Sequence, residues 1–336
     1  MAWFWKIIRV FLVLGIAFGS IISLVAISVG WWGSSRLVEV GRADLEEAHR
    51  EVYAQPEQFG FQLERFDVSS ADGLTLKACV LTPDPAAELS APGRRVRKEI
   101  SLRNRVDLPL RNEIRGTIVM GHGREGRMEH NFAIAKRFTA VGFRCVLFDA
   151  RAHGESGGEI CTYGFFERED LRRVIAGAEE KVGDLGPVGL FGVSLGGAVG
   201  LQAMDGSDDY RCGVFVSPFA SLNESAWRVA EEKLGAWRFA VVPPTDVVLG
   251  WRHGFRMIEA APVASASRID EPVMLVHGEE DEMVPITDSE TILKALESEA
   301  KTLRRVEGGD HHAVLMQGGD ELYAEMCEFF LQHMWG

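Results

Sequence analysis

A glycine–x–serine–x–glycine pattern lies between an apolar run and a helix-forming segment, and it constrains this chain more than any other feature. The apolar run 188–191 ends at Gly192, and the helix-forming segment follows Gly196. A serine at the apex of a sharp strand-to-helix turn adopts a strained backbone, so its neighbours must be small. Ser194 would then project its hydroxyl clear of both elements at a helix N-terminus. The sequence predicts a buried strand, a tight turn and a helix in that order.

Strand-like and helix-like segments alternate from Gly116 onward, which predicts βαβ units and a mostly parallel sheet with helices on both faces. The predicted strands are 117–120, 144–148, 188–191, 213–216, 273–276 and 302–306. The predicted helices are 129–139, 167–182, 194–204, 287–298 and 321–333. A hairpin precedes them, because alternating apolar residues over 61–81 are interrupted by Asp72-Gly73. The segment 82–112, rich in proline, alanine and arginine, is interpreted as an irregular loop.

The composition argues against several classes of partner. A net charge of −13 would repel a polyanion, so no nucleic-acid partner is expected. The local exception is a basic cluster, interpreted as a solvated loop rather than a lipid or phosphate site, formed by Arg94, Arg95, Arg97, Lys98, Arg103 and Arg105. Five cysteines cannot all pair within the chain, and Cys79, Cys145 and Cys212 fall in predicted strands as small apolar side chains. No disulfide framework, zinc site, other metal or cofactor is expected.

The N-terminal segment has a different character. Residues 10–32 carry no charge and are long enough, as a helix, to cross a bilayer core of about 30 Å. Tryptophans flank both ends, as in membrane aromatic belts: Trp3, Trp5, Trp31 and Trp32. Lys6 and Arg9 precede the segment and acidic residues follow it, which predicts a cytoplasmic N-terminus and a large domain on the other side. The alternative is a signal peptide cleaved near 26–28, after which the protein would be secreted.

The chain divides into three predicted parts. Residues 1–32 form a membrane anchor, 33–60 a linker or stalk, and 61–336 one large α/β domain. Within that domain the strand–helix rhythm is interrupted at about 218–257, a stretch that contains three tryptophans. Two interpretations stay open: a lid over an apolar pocket, or an ordinary helical insertion packed on the core.

Residues whose side chains can take part in catalysis directly follow several predicted strands. In open α/β sheets, ligands bind beyond the carboxyl ends of the strands. The motif His122-Gly123-Arg124 follows the first strand of the alternating series, and Ser194 follows the third. Asp281 lies in His-Gly-x-x-Asp-x-x-Val-Pro after the fifth strand, and His311 follows the sixth. A nucleophile, an acid and a base thus occur in that chain order.

These motifs resemble those of α/β-hydrolase-fold serine hydrolases, over a range from about Phe61 to the C-terminus. The resemblance is to the branch that includes membrane-anchored hydrolases and enzymes likened to serine aminopeptidases and monoglyceride lipases. It implies an α/β-hydrolase fold in which Ser194 attacks an acyl carbon, His311 accepts its proton and Asp281 orients the imidazole. His312 is the alternative base.

The same resemblance selects Asp281 over its acidic neighbours Glu279, Glu280 and Glu282. It places the oxyanion hole at the backbone N–H groups of Leu195 and Arg124. His122, Asp149 and His153 are expected to shape loops rather than to take part in chemistry. A metal site at His311-His312 is disfavoured because no third spaced ligand accompanies the pair.

The function expected is that of a membrane-anchored serine hydrolase of the carboxylesterase or lipase type, acting on a small-molecule acyl substrate through an acyl-enzyme on Ser194. The expected membrane anchor and the tryptophan-rich insertion favour a lipophilic substrate. Peptidase, thioesterase and acyltransferase activities use the same triad and stay open. The second class is a non-catalytic binding protein on the hydrolase fold. The oligomeric state stays open as well.

Overall fold

A computed structural model describes residues 2–105, 108 and 113–335. Its strands are β1 (Phe61–Ser69), β2 (Thr75–Pro83), β3 (Thr117–Gly121), β4 (Arg144–Phe148), β5 (Val188–Val193), β6 (Cys212–Val216), β7 (Val273–Gly278) and β8 (Lys301–Val306). They form one eight-stranded sheet in the order β1-β2-β4-β3-β5-β6-β7-β8. The pairs β1–β2 and β2–β4 are antiparallel, and all the other pairs are parallel.

Helices connect and cover these strands. Their bounds are α1 (Ala2–Val38), α2 (Glu47–Ala54), α3 (Ala91–Asn104), α4 (Phe132–Val141), α5 (Glu167–Val182), α6 (Leu195–Met204), α7 (Leu222–Leu234), α8 (Arg238–His253), α9 (Pro262–Ala266), α10 (Ile286–Ala295) and α11 (Val314–His333). The insertion 218–257 therefore contains α7 and α8, and short 3-10 turns join several of these elements.

The sheet separates two hydrophobic cores. Side chains alternate across a strand, so Leu190 enters one core while its neighbour Phe191 enters the other. The first core contains apolar residues of α5, α6 and α9, and the second contains those of α3, α4 and α11. Helices thus cover both faces of a mostly parallel sheet. This confirms the α/β-hydrolase architecture predicted from the sequence.

The predicted loop over 82–112 is wrong in its central part, which forms α3. The Ser90 side chain accepts a hydrogen bond from the Gly93 N–H, and a proline lies in the first turn. Val96 and Ile100, four residues apart, are both buried in the second core. The capping serine and this spacing are sequence indications of a helix. The high arginine content favoured a solvated loop instead. Residues 106, 107 and 109–112 of the predicted loop lie outside the described residues.

Two residues of the basic cluster, Arg95 and Arg103, pair with acidic residues of the C-terminal helix. Arg95 Nε lies 2.6 Å from Asp320 Oδ2, and Arg103 Nε lies 3.1 Å from Glu328 Oε2. These two arginines join α3 to α11 across the surface of the second core. Exposed ion pairs of this kind are individually weak, at about 0–1 kcal/mol.

The N-terminal helix has two environments along its length. Its apolar part from Trp3 onward is exposed, and α1 is long and apolar enough to cross a membrane. From Gly30 the same helix packs against α8: a Cβ at Gly30 would overlap Pro244, and one at Gly33 would overlap Thr245. The apolar segment and the folded domain therefore share one unbroken helix.

Polar contacts reinforce this junction. Arg252 of α8 stacks on the Trp31 ring at 3.9 Å and donates to the hydroxyls of Ser34 and Ser35, both at 2.9 Å. Arg42, beyond the end of α1, donates to four carbonyl oxygens of the loop after β4, those of His153, Gly154, Ser156 and Gly158. The segment 33–60 is thus attached to the domain at several points.

Substitutions at two glycines of α1 test its packing on α8. In Gly30→Leu the new side chain would overlap Pro244 and Val248, whereas the Gly19→Leu side chain would meet open space. We expect Gly30→Leu to lower the free energy of unfolding by about 1–3 kcal/mol and Gly19→Leu to leave it unchanged. Thermal unfolding of the full-length chain in detergent micelles measures both effects. Equal melting temperatures for the two variants would contradict the packing.

Candidate active site

Ser194 occupies a sharp turn between β5 and α6, with a backbone φ of 51° and ψ of −110°. Few side chains adopt this conformation, so the surroundings must hold it. A Cβ at Gly192 would overlap the backbone of Gly196, and a Cβ at Gly196 would overlap that of Gly121. The Ser194 N–H donates to the Val216 carbonyl oxygen at 2.7 Å. The turn exists because glycines allow β3, β5 and α6 to approach closely.

Three side chains from distant parts of the chain meet at this turn. His311 Nε2 lies 3.0 Å from Ser194 Oγ, and His311 Nδ1 lies 2.7 Å from Asp281 Oδ2. An ionised carboxylate only accepts hydrogen bonds, so Nδ1 carries the proton and Nε2 is free to accept from the serine hydroxyl. The arrangement is a continuous Ser–His–Asp hydrogen-bonded path.

A buried histidine supports the acidic member of this path. His277 Nε2 lies 2.8 Å from the Val284 carbonyl oxygen and 3.4 Å from Asp281 Oδ2, so this nitrogen carries the ring proton. His277 Nδ1 then accepts from the Ser289 hydroxyl at 2.7 Å. Asp281 Oδ1 accepts from the backbone N–H groups of Met283 and Val284, at 3.1 and 2.8 Å. These contacts fix the carboxylate in one orientation.

The same contacts keep Asp281 ionised. Burial raises the pKa of a carboxyl group, but hydrogen bonds from His277, His311 and the Val284 N–H outweigh it, and the pKa of Asp281 lies well below its usual range. At neutral pH this group therefore presents a full negative charge to the imidazole of His311.

The two backbone N–H groups predicted for an oxyanion hole belong to segments that adjoin Ser194. Leu195 begins α6 directly after Ser194, and Arg124 follows Gly123 in the loop after β3. That loop approaches the serine, since a Cβ at Gly123 would lie 3.8 Å from Ser194 Cβ. Within the part of the chain that the structure describes, neither N–H group donates to a protein acceptor. Both are free to donate to a ligand.

A neutral histidine fixes the loop that carries Arg124. Burial lowers the pKa of His122 to about 3, so its ring stays uncharged at neutral pH. Nδ1 lies 2.8 Å from the Gly123 carbonyl oxygen and Nε2 accepts from the Ala150 N–H at 3.0 Å. The ring joins the loops after β3 and β4, which agrees with the expected loop-shaping role of His122.

Asp149 joins the same two loops from the other side. Its Oδ1 accepts from the Met128 N–H and its Oδ2 from the Glu155 N–H, both at 2.7 Å. Burial raises the pKa of Asp149 to about 6, although these two backbone hydrogen bonds oppose the shift. His153 is buried nearby, with Nδ1 2.8 Å from the Arg151 carbonyl oxygen. Neither Asp149 nor His153 contacts the serine.

The remaining candidates lie away from the hydrogen-bonded path. The ring of His312 lies beside that of His311, and the His312 backbone N–H donates to Asp310 Oδ1 at 2.8 Å. Glu279, Glu280 and Glu282 are exposed, whereas Asp281 is buried. The structure therefore brings His311 and Asp281 to Ser194, rather than these alternatives. Across residues 2–105, 108 and 113–335, no group of three or more His, Cys, Asp or Glu side chains is placed to hold a metal ion.

A cavity of about 470 Å³ has Ser194 and Leu195 in its wall. Most of its lining is apolar and comes from α7, α8 and the last turns of α1. The charged side chains that line it are basic: Arg36, Arg124, Arg228 and Lys233. The Arg124 guanidinium pairs with Glu125 at 2.8 Å, and that of Arg228 pairs with Asp288 at 3.1 Å.

Two features of the site were missed from the sequence. The wall that α1 contributes, through Trp32, Gly33, Arg36 and Leu37, was counted as anchor or linker. Gly33 three residues after Gly30 indicates close helix packing, but it does not name the partner helix. The support of Asp281 by His277 was also missed, although His277 is the first residue of the motif His-Gly-x-x-Asp-x-x-Val-Pro that contains Asp281.

Comparisons with known proteins relate the chain to a hydrolase family. A family model described as serine aminopeptidase, S33, matches residues 112–248. The uncharacterized protein YqkD of Bacillus subtilis is 30% identical over 225 residues, which cover 65% of this chain and 72% of YqkD. The Pyrococcus furiosus esterase Pf2001 superposes with a TM-score of 0.63 at 18% identity, over 88% of this chain and 100% of that one. The acylaminoacyl peptidase of Pyrococcus horikoshii superposes with a TM-score of 0.55 at 16% identity, over 86% of this chain and 43% of the peptidase chain. At such identities the two structures show a common fold.

The raised pKa of Asp149 has a measurable consequence. An unfolded aspartate has a pKa near 4, so between about pH 4 and 6 the native state binds more protons and stability falls as the pH rises, by up to about 3 kcal/mol. Asp149→Asn removes this pH dependence and leaves one backbone N–H without an acceptor, which costs about 1–3 kcal/mol. We expect the stability deficit of the variant to be larger near pH 4 than near pH 7. Urea unfolding of both proteins at the two pH values measures it, and a constant deficit would contradict the shift.

Proposed function

Because this chain belongs to the α/β-hydrolase family, we propose that Ser194 is the nucleophile of a serine hydrolase that cleaves ester bonds. The observation that carries the proposal is the hydrogen-bonded path from Ser194 through His311 to Asp281. Ser194 lies within the range that the serine aminopeptidase model matches, and the other two residues lie beyond it. Their roles are inferred from geometry.

The geometry supports a two-step acyl transfer. As Ser194 Oγ attacks the acyl carbon, its proton passes to His311 Nε2, and Asp281 stabilises the imidazolium through Nδ1–H. The developing oxyanion accepts from the N–H groups of Leu195 and Arg124; losing one such donor typically costs about 10²–10³ in rate. The imidazolium then protonates the leaving group, and water releases the acyl group by the same steps in reverse.

The apolar cavity supports an ester of an apolar acid. Aliphatic and aromatic residues surround the space next to Ser194, and each buried methylene of a substrate adds about 0.8 kcal/mol of binding. We propose that α7 and α8 act as a lid over this space.

Peptidase activity is the second candidate, because the matching family model is described as a serine aminopeptidase. Parallel assays with p-nitrophenyl esters, thioesters and aminoacyl amides separate these classes.

We propose that residues 1–32 anchor the protein in a membrane, that 33–60 link the anchor to the hydrolase domain, and that this domain spans 61–336. The support is that the exposed apolar part of α1 and its packed end form one helix. The distribution of charge around the segment favours a single pass with the domain on the non-cytoplasmic side. Protease accessibility of the domain in sealed spheroplasts tests this orientation. Mass analysis of the N-terminus distinguishes an anchor from a cleaved signal peptide.

A fluorophosphonate probe tests the nucleophile. Such probes react with an activated serine, so we expect one label per chain in the wild type and none in Ser194→Ala. The matched control is Ser267→Ala, which removes an exposed serine whose hydroxyl donates only to the Ala264 carbonyl oxygen. Gel fluorescence and mass spectrometry measure the labelling. If the wild type resists the probe, or Ser194→Ala labels equally, Ser194 is not the nucleophile.

Substitution of the acid tests the tautomer argument. Asp281→Asn replaces the acceptor of the His311 Nδ1–H by an amide that favours the wrong tautomer, so we expect kcat for a p-nitrophenyl ester to fall by about 10⁴. Glu280→Gln removes the exposed neighbouring carboxylate and should leave kcat within about twofold of wild type. Steady-state kinetics with circular dichroism as a folding control measure both. Equal losses in the two variants would remove Asp281 from the mechanism.

A further inference from the structure

The outer side of α8 is apolar and exposed. Phe239, Pro243, Val247 and Trp251 follow one another at four-residue spacing, so they lie along one side of the helix. Phe239, Val247 and Trp251 are 64%, 59% and 74% exposed. Trp237, directly before the helix, is 74% exposed. A contiguous exposed apolar surface of this kind marks an interaction site. We call Phe239, Pro243, Val247 and Trp251 the α8 stripe.

The α8 stripe lies at the level where α1 leaves its apolar segment. The Trp31 and Trp251 rings meet edge to face with centroids 6.1 Å apart. Gly30 packs against Pro244 and Val248 on the adjoining side of α8. Trp31 belongs to the tryptophan pair at the end of the apolar segment, where aromatic side chains occupy the membrane–water interface. The exposed apolar surface of α1 therefore continues directly onto α8.

The cavity at Ser194 opens beside this surface. Its wall includes the exposed side chains of Trp32 from α1 and of Val229 and Leu234 from α7. Its deeper wall includes the buried residues Val242 of α8 and Leu222 of α7. An apolar path thus leads from the end of the apolar segment to the serine.

We propose that the α8 stripe lies in the membrane interface next to the anchor, and that the substrate is an ester of a bilayer-resident lipid whose acyl chain enters the cavity between α1 and α7. The substrate part of this inference rests on the proposed serine hydrolase function. The membrane part rests on the continuity of α1 with the α8 stripe. Amphipathic helices with aromatic side chains bind at this depth through their buried apolar area.

Site-directed labelling tests the depth of the α8 stripe. All five native cysteines are buried, so a cysteine introduced at Val247 takes an environment-sensitive NBD label selectively. The control is Glu180→Cys, on the exposed side of α5. In vesicles of phosphatidylcholine and phosphatidylglycerol, we expect a blue-shifted emission for Val247→Cys and quenching by spin-labelled lipids at least about threefold stronger than for the control. Equal quenching at the two positions overturns the proposal.

A pair of substrates tests the route of entry. The double variant Phe239→Ser and Trp251→Ser removes two apolar side chains of the α8 stripe, neither of which lines the cavity. We expect hydrolysis of monooleoylglycerol held in those vesicles to fall about tenfold or more, while hydrolysis of soluble p-nitrophenyl acetate stays unchanged. Unchanged hydrolysis of the vesicle substrate contradicts entry from the bilayer.

The two arms separate failure of this inference from failure of the proposed function. If fluorophosphonate labelling of Ser194 fails, the hydrolase proposal and the lipid-ester substrate fall together, while the Val247→Cys label still decides the membrane contact. If the double variant loses activity on both substrates, its fold is damaged. The quenching of the NBD label on Val247→Cys, in a chain that is otherwise native, then decides whether the α8 stripe contacts the membrane. A label that is shielded equally in micelles and vesicles, without quenching by spin-labelled lipids, assigns the α8 stripe to contact between copies of the chain and overturns the proposal.

Discussion

The close approach of three backbones at Ser194 is the constraint on which this structure depends. The serine holds a positive φ that costs of the order of 1–3 kcal/mol, and the cost is borne because β3, β5 and α6 pack against one another without side chains between them. Gly121, Gly192 and Gly196 supply this contact, and a Cβ at any of the three would overlap a neighbouring backbone. The strained turn places the hydroxyl beyond the strand ends, where the loops after β3, β7 and β8 can reach it.

Parallel strand order then determines which residues meet. The carboxyl ends of β3, β5, β7 and β8 lie on one edge of the sheet, so residues far apart in sequence come together there. Two of these loops are fixed by a buried histidine: His122 holds the loop after β3, and His277 holds the loop after β7. Buried groups of this kind are fully hydrogen-bonded or costly, and here both ring nitrogens of each histidine have partners. These contacts hold both loops beside Ser194.

The hairpin, the parallel strands and the residues that follow these strands could be predicted because each is indicated by a short stretch of sequence. A turn signal at Asp72-Gly73 and period-two alternation sufficed for the β1–β2 hairpin, and apolar runs sufficed for the parallel strands. Ser194, Asp281 and His311, which the structure joins in one hydrogen-bonded path, were predicted from motifs that follow strands and from the family resemblance, which selected Asp281 and His311 over their neighbours. Contacts between distant surfaces were beyond the same reasoning. The helix over 91–104 derives its stability from the second core, and the partner of Gly30 and Gly33 emerges only when α8 is in place.

The junction of α1 with α8 joins what the sequence divided into anchor and domain. If α1 were only a tether, its last turns would carry solvated side chains and the cavity would be closed by the domain alone. Instead Ser34 and Val38 are fully buried, and Gly33 and Leu37 form part of the wall next to α7 and α8. A displacement of α1 therefore changes the shape of the space beside Ser194. The position of the N-terminal helix and the volume of this cavity are structurally linked.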